Sequence, residues 1–167
     1  MAAFWIGEAF VGEGAEAAHL NTVLGDRDGP VGTAWATALA TPSAGHTPFV
    51  AVLGPGVPVQ PMTLFVNKAA IASELHGRLT WGAAQAGVAG GVADALADGV
   101  VPADQFGALA LIAAVWVNPE AIDEEAVYGN NRAATARALA AGMASEPTVE
   151  AVLAARAGPT NPYFRQG

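Results

Sequence analysis

Leu109-Ala110-Leu111-Ile112-Ala113-Ala114-Val115-Trp116-Val117 is an unbroken apolar run closed by Asn118-Pro119. It is too short to cross a bilayer, which takes about 20 residues in a helix. Its β-branched and aromatic end reads as a central, buried strand. Outward from it the chain alternates between helix and strand signals. On the C-terminal side, Asp123-Glu124-Glu125 puts negative charge where a helix dipole favours it, and predicts a helix to about residue 143. Glu146-Pro147 interrupts, and residues 148–156 read as a last helix before an irregular tail beginning at Gly158-Pro159. On the N-terminal side, Gly99-Val100-Val101-Pro102 is a connection. Helical segments over about 73–98 precede it, with Ser73 or Thr80 as candidate caps. Within them, Gly87-Val88-Ala89-Gly90-Gly91-Val92-Ala93 is small-sided. A glycine in a helix interior costs about 1 kcal/mol relative to alanine, so this run implies a second backbone packed close against it.

The first third reads as strands joined by glycine loops. Strands are expected over 4–10, 18–24, 49–53 and 63–68, with a helix from Pro30 to about residue 39. Gly54-Pro55-Gly56-Val57-Pro58 reads as a stiff loop. In the second strand, alternation places His19, Asn21 and Val23 on one face and Leu20, Thr22 and Leu24 on the other. The class is α/β of the α+β type, with four or five strands and three or four helices. With no fixed-period repeat or low-complexity linker, residues 1–167 read as a single domain.

Composition narrows the function. Of the 167 residues 53% are apolar and 13% charged, against about 25% charged in typical soluble domains. Charge this sparse points to surface covered by other subunits. The 7 basic residues are scattered among 15 acidic ones, a formal net charge of −8. That distribution offers no stripe for nucleic acid and no polybasic membrane anchor. Without cysteine there is no thiol nucleophile, thiolate zinc site or iron–sulfur cluster. Met1-Ala2-Ala3-Phe4-Trp5 places no basic segment ahead of an apolar one, so the expectation is a cytoplasmic protein without a signal peptide.

Lys68 is the only lysine, at the end of an apolar strand after Asn67. It is either an ordinary exposed strand end or an ammonium placed for an anionic or carbonyl-bearing ligand. His19 is either a satisfied core histidine or a general acid/base. His19, His46 and His76 lack the spacing of a metal site, and no metal is expected. Gln85 is a polar residue among small and apolar ones, set to orient a ligand or to lie on a wet helix face. Gly12-Glu13-Gly14-Ala15-Glu16-Ala17 matches a loose dinucleotide fingerprint, but a strand rather than a helix follows it, so it reads as a turn.

Taken in order, several segments resemble the formaldehyde-activating enzymes of methylotrophic bacteria and archaea. They are Gly7-Glu8-Ala9-Phe10-Val11-Gly12-Glu13-Gly14, Ala18-His19-Leu20, Ala51-Val52, Thr63-Leu64-Phe65-Val66-Asn67-Lys68, Ala84-Gln85, Gly87-Val88-Ala89, Asp94-Ala95, residues 99–104 and Asn161-Pro162. The resemblance implies a four- to five-stranded sheet covered by helices, of the ribosomal-protein-S5-domain-2-like type. It implies a homopentamer with active sites between subunits. It also implies condensation of formaldehyde with tetrahydromethanopterin, a co-substrate, to methylene-tetrahydromethanopterin and water, with no tightly bound cofactor. The family's acid/base histidine falls on His19, and its substrate contacts fall on Asn21, Val50, Lys68, Ala70 and Gln85. The family pattern has aspartate at 21, leucine at 50, threonine at 70 and often histidine at 86, where this chain has Asn21, Val50, Ala70 and Ala86. With Asn21 there, no carboxylate is expected beside His19. These departures keep open a different amine acceptor, or a non-catalytic carbonyl- or pterin-binding role.

Overall fold

The computed structural model describes residues 4–162 and 164; Met1-Ala2-Ala3 and the end of the tail lie outside the described residues. The run that decided the fold class forms strand β7 (Leu109–Trp116), in the middle of a five-stranded sheet. The sheet also contains β1 (Phe4–Val11), β2 (Ala18–Asp26), β3 (Phe49–Val50) and β6 (Met62–Asn67), in the order β1-β2-β7-β6-β3. Only β6 and β7 run parallel, and the segment between them carries the helical crossover that a parallel pair needs.

The expected strand over 49–53 is instead divided. β3 joins the main sheet, while β4 (Val52–Gly54) pairs with β5 (Val57–Pro58) as a small hairpin. The segment read as a loop therefore contributes a strand. The hairpin turns at Gly56, whose φ of 77° suits glycine. Ala51 bridges the two sheets by donating to Thr63 O at 2.9 Å and accepting from Val59 N at 3.1 Å.

Helix α1 (Pro30–Ala40) begins on proline and packs against β2 and β7. Ser73, not Thr80, caps α2 (Glu74–Arg78): its Oγ accepts from His76 N at 3.0 Å. Thr80 is buried within a π-helical stretch, Leu79–Ala84, that joins α2 to α3 (Gln85–Ala97). Asp123 Oδ1 accepts from Ala126 N at 3.0 Å and caps α4 (Glu124–Met143). Helix α5 (Val149–Ala155) follows, capped by Thr148. Among the described residues, no helix is long and apolar enough to cross a membrane.

The small-sided run in α3 meets α4 of the same chain. A Cβ at Gly87 would lie 2.5 Å from Tyr128 O, and one at Gly91 2.4 Å from Arg132 O. The run thus has its partner within the chain and says nothing about neighbouring subunits. The two helices are also joined by Arg132, whose Nε and Nη2 donate to the Asp94 carboxylate at 2.7 and 2.8 Å. That paired guanidinium holds the Asp94 carboxyl below the usual range. Helix α4 lies over β1 and β2, where Ala9, Leu20, Ala113, Val115, Ala134 and Ala138 form one part of the core. Leu24, Val92, Leu111 and Leu139 belong to the other part.

The contact between α3 and α4 reverses the usual sign of a helix substitution. Gly129→Ala, in open space on α4, should raise the thermal midpoint slightly, by the ordinary alanine preference of up to about 1 kcal/mol. Gly91→Ala should lower it, because overpacking against a backbone oxygen costs about 1–3 kcal/mol. A midpoint for Gly91→Ala at or above that of the wild type contradicts this account.

Candidate active site

The sheet register sorts the face turned away from α4 into rows. Ile6, Val23, Ile112, Leu64 and Val50 lie opposite one another across all five strands. Glu8, Asn21, Ala114 and Val66 form the next row. Phe10, His19 and Trp116 form the third. Lys68 extends that row, since its N–H donates to Val115 O at 2.7 Å just beyond the end of β6. The alternation read from residues 18–24 therefore holds: Leu20, Thr22 and Leu24 are buried, while His19, Asn21 and Val23 are half-buried on the other side.

Three of the expected residues meet. The Lys68 ammonium donates to Asn21 Oδ1, across the intervening strand β7. His19 stands one alternation along β2 from Asn21, with its ring tilted against Phe10 at a centroid distance of 5.9 Å. A fourth residue completes the group. Glu8 Oε1 lies 3.0 Å from His19 Nε2, and Glu8 is the direct cross-strand neighbour of Asn21. The expectation that Asn21 leaves His19 without a carboxylate is thus overturned, because the carboxylate comes from β1 instead of β2. Diagonal neighbours in an antiparallel pair are within reach of long side chains. The available signal was the hairpin formed by residues 4–10 and 18–24.

The other three residues do not share these contacts. Gln85 is 7% exposed, and its Nε2 donates to Val52 O at 2.8 Å, so it is not on a wet helix face. It anchors the start of α3 to the strand that follows Val50. Val50 itself lies in the first row, opposite the buried Leu64. Ala70 is exposed in the segment after Lys68. That segment is latched by Asn67, whose Nδ2 donates to Gly45 O and Ala69 O, both at 2.8 Å. His46 Nδ1 adds a hydrogen bond of 2.8 Å to Asn67 O. His76 is a core histidine: Nδ1 accepts from Ala72 N at 3.1 Å, and Nε2 donates to Val117 O at 3.0 Å.

Partial burial pushes the Lys68 amine below the ordinary lysine value, and the Glu8 carboxylate offsets part of that shift. Labelling with a limiting amine-acylating reagent, followed by mass spectrometry of the Lys68 peptide, reads this directly. The labelling rate should reach half its maximum below the ordinary lysine pKa of about 10.4. In Glu8→Gln the midpoint should fall further, because the stabilising negative charge is gone. A midpoint at or above the ordinary value, or a rise in the variant, contradicts the assigned causes.

Residues 6–164 match the sequence pattern of the family described as formaldehyde-activating enzyme (Fae). A 5,6,7,8-tetrahydromethanopterin hydro-lyase of Methanosarcina barkeri is 42% identical over 95% of this chain and 89% of its own length. Bifunctional Fae/Hps enzymes of Methanosarcina mazei and Archaeoglobus fulgidus are each 40% identical over 90% of this chain, which spans 38% of their length. A match over nearly all of the chain, together with identity at this level, places the protein in the formaldehyde-activating enzyme family.

Proposed function

We propose that the protein condenses formaldehyde with tetrahydromethanopterin to give methylene-tetrahydromethanopterin and water, with residues 1–167 acting as one unit in the cytoplasm. Beyond the relatives, one observation carries this reading: His19, Asn21 and Lys68 gather on one face of the sheet, the face turned away from α4. A substrate nitrogen attacks the formaldehyde carbon and gives a carbinolamine. His19 protonates the carbinolamine hydroxyl, water leaves, and an iminium ion remains. A second substrate nitrogen adds to that carbon and loses its proton, which closes the methylene bridge. The spontaneous reaction is already fairly quick, so the protein supplies positioning and one acid. Lys68 donates hydrogen bonds to the pterin or to the carbinolamine oxygen.

A different amine acceptor is the second reading. It is favoured by Asn21, which already accepts from Lys68, and by the methyl group that Ala70 presents. Formaldehyde consumption measured above the spontaneous rate, with tetrahydromethanopterin and with other diamines in parallel, separates the two. In that assay His19→Ala should lower the catalysed rate by roughly 10²- to 10⁴-fold, the usual contribution of general acid catalysis. Lys68→Met should fold normally and lose substrate binding. Full activity in either variant sinks the proposed site.

The reading includes a homopentamer whose neighbouring subunits close over this face. It is supported by Phe4 and Ile6, 56% and 54% exposed beside the site, and by Val149, Val152 and Leu153 exposed along α5. Sedimentation equilibrium at micromolar concentration should give five chains per particle. A stable 16.7 kDa monomer would remove this part of the reading.

A further inference from the structure

The carboxylate that meets His19 is not among the site residues the resemblance supplied, and its position distinguishes the two ring nitrogens. Glu8 Oε1 lies 3.0 Å from His19 Nε2, and an ionised carboxylate, which only accepts hydrogen bonds, favours a proton on the ring nitrogen it faces. When one imidazole nitrogen is held in this way, the other is the one free to exchange a proton. The pair has little structural purpose. Both side chains are substantially exposed, 38% for His19 and 58% for Glu8, and exposed ion pairs contribute about 0–1 kcal/mol to stability. The carboxylate is instead shared within the site, because the charge on Glu8 also acts on Lys68, which Asn21 holds.

Resting on the proposed condensation, we propose that Glu8 is a positioning residue. Its carboxylate holds His19 Nε2–H, so that Nδ1 carries the proton given to the leaving hydroxyl. The proton moves from Nδ1 to the carbinolamine oxygen, the C–O bond breaks, water departs, and the nitrogen lone pair forms the iminium. Glu8 itself neither gains nor loses a proton. This assigns the reactive nitrogen of His19.

The test combines a spectroscopic and a kinetic readout. In the substrate-free wild type, ¹⁵N NMR of the neutral His19 ring should show the Nε2–H tautomer, and Glu8→Ala should lose that preference. Glu8→Gln keeps an acceptor oxygen without the charge and should retain it in part. Glu8→Ala should lower kcat about 10- to 100-fold, as loss of an orienting partner does, with KM changed less than about twofold. In a His19→Ala background Glu8→Ala should cost only a small part of that loss, the part that acts through Lys68. Because Glu8 is exposed, both variants should keep the wild-type thermal midpoint.

An Nδ1–H tautomer in the wild type overturns the proposal. So does a full additional loss in the His19→Ala background, which would mean that Glu8 acts on the substrate directly. Loss of activity in His19→Ala but not in Glu8→Ala overturns it while the proposed function stands. If the wild type accelerates no condensation, the proposed function fails. The tautomer measurement then still decides whether Glu8 sets the protonated nitrogen.

Discussion

A backbone oxygen of α4 occupies the space where Gly7 would carry a side chain: a Cβ built there would lie 1.8 Å from Ala138 O. The approach is reciprocal, since a Cβ at Gly142 would come within 3.1 Å of the Ile6 carbonyl. Two glycines, one on β1 and one on α4, let the helix lie directly on the strand. Everything on the same side of the sheet then becomes interior, including Ala9, Leu20 and Leu24. A strand alternates, so the residues between these must face the other way. Glu8 follows Gly7 and is sent outward. On β2, His19 and Asn21 flank the buried Leu20. The side on which the helix lies therefore decides where the polar groups gather.

Much of this was legible because it is local or periodic. The alternation over 18–24 separated His19 and Asn21 from Leu20 and Thr22. The apolar run after residue 108 gave the central strand, and Asp123 marked the start of α4. The small-sided run in α3 correctly implied a close backbone, though not which one. What escaped depends on register between segments far apart in sequence. Glu8 meets His19 only because β1 and β2 pair with Glu8 opposite Asn21. Lys68 reaches Asn21 only because β7 inserts between β2 and β6 and aligns the third row. The division of residues 49–54 between two sheets was hidden for a different reason. A glycine–proline segment reads as a loop whether or not its flanks pair, and the pairing is set by the hydrogen bonds of Ala51.

The same group shows what a single amide does in place of a carboxylate. Asn21 accepts the Lys68 ammonium without neutralising it. Burial then favours the uncharged amine, and the charge on Glu8 opposes it. With an aspartate at this position the ammonium and the imidazole would each have a carboxylate of their own. Here one carboxylate lies against the imidazole and also acts on the ammonium.

That sharing suits the proposed chemistry. With His19 protonated, the charges of Glu8, His19 and Lys68 sum to +1 while the bound carbinolamine is neutral. When His19 gives up its proton and water departs, the three side chains sum to zero and the positive charge resides on the iminium carbon and nitrogen. The total is unchanged across the step, so the site never has to hold a cationic intermediate against a second uncompensated cation. Coulomb repulsion between two unit charges at 4 Å is about 4 kcal/mol near a protein surface, an effective dielectric of about 20. Were Lys68 fully charged without Glu8 beside it, the developing iminium would meet repulsion of that order. The carboxylate on β1 therefore acts on both sides of the transfer: it holds the ring that gives the proton, and it balances the ammonium that remains when the proton has gone.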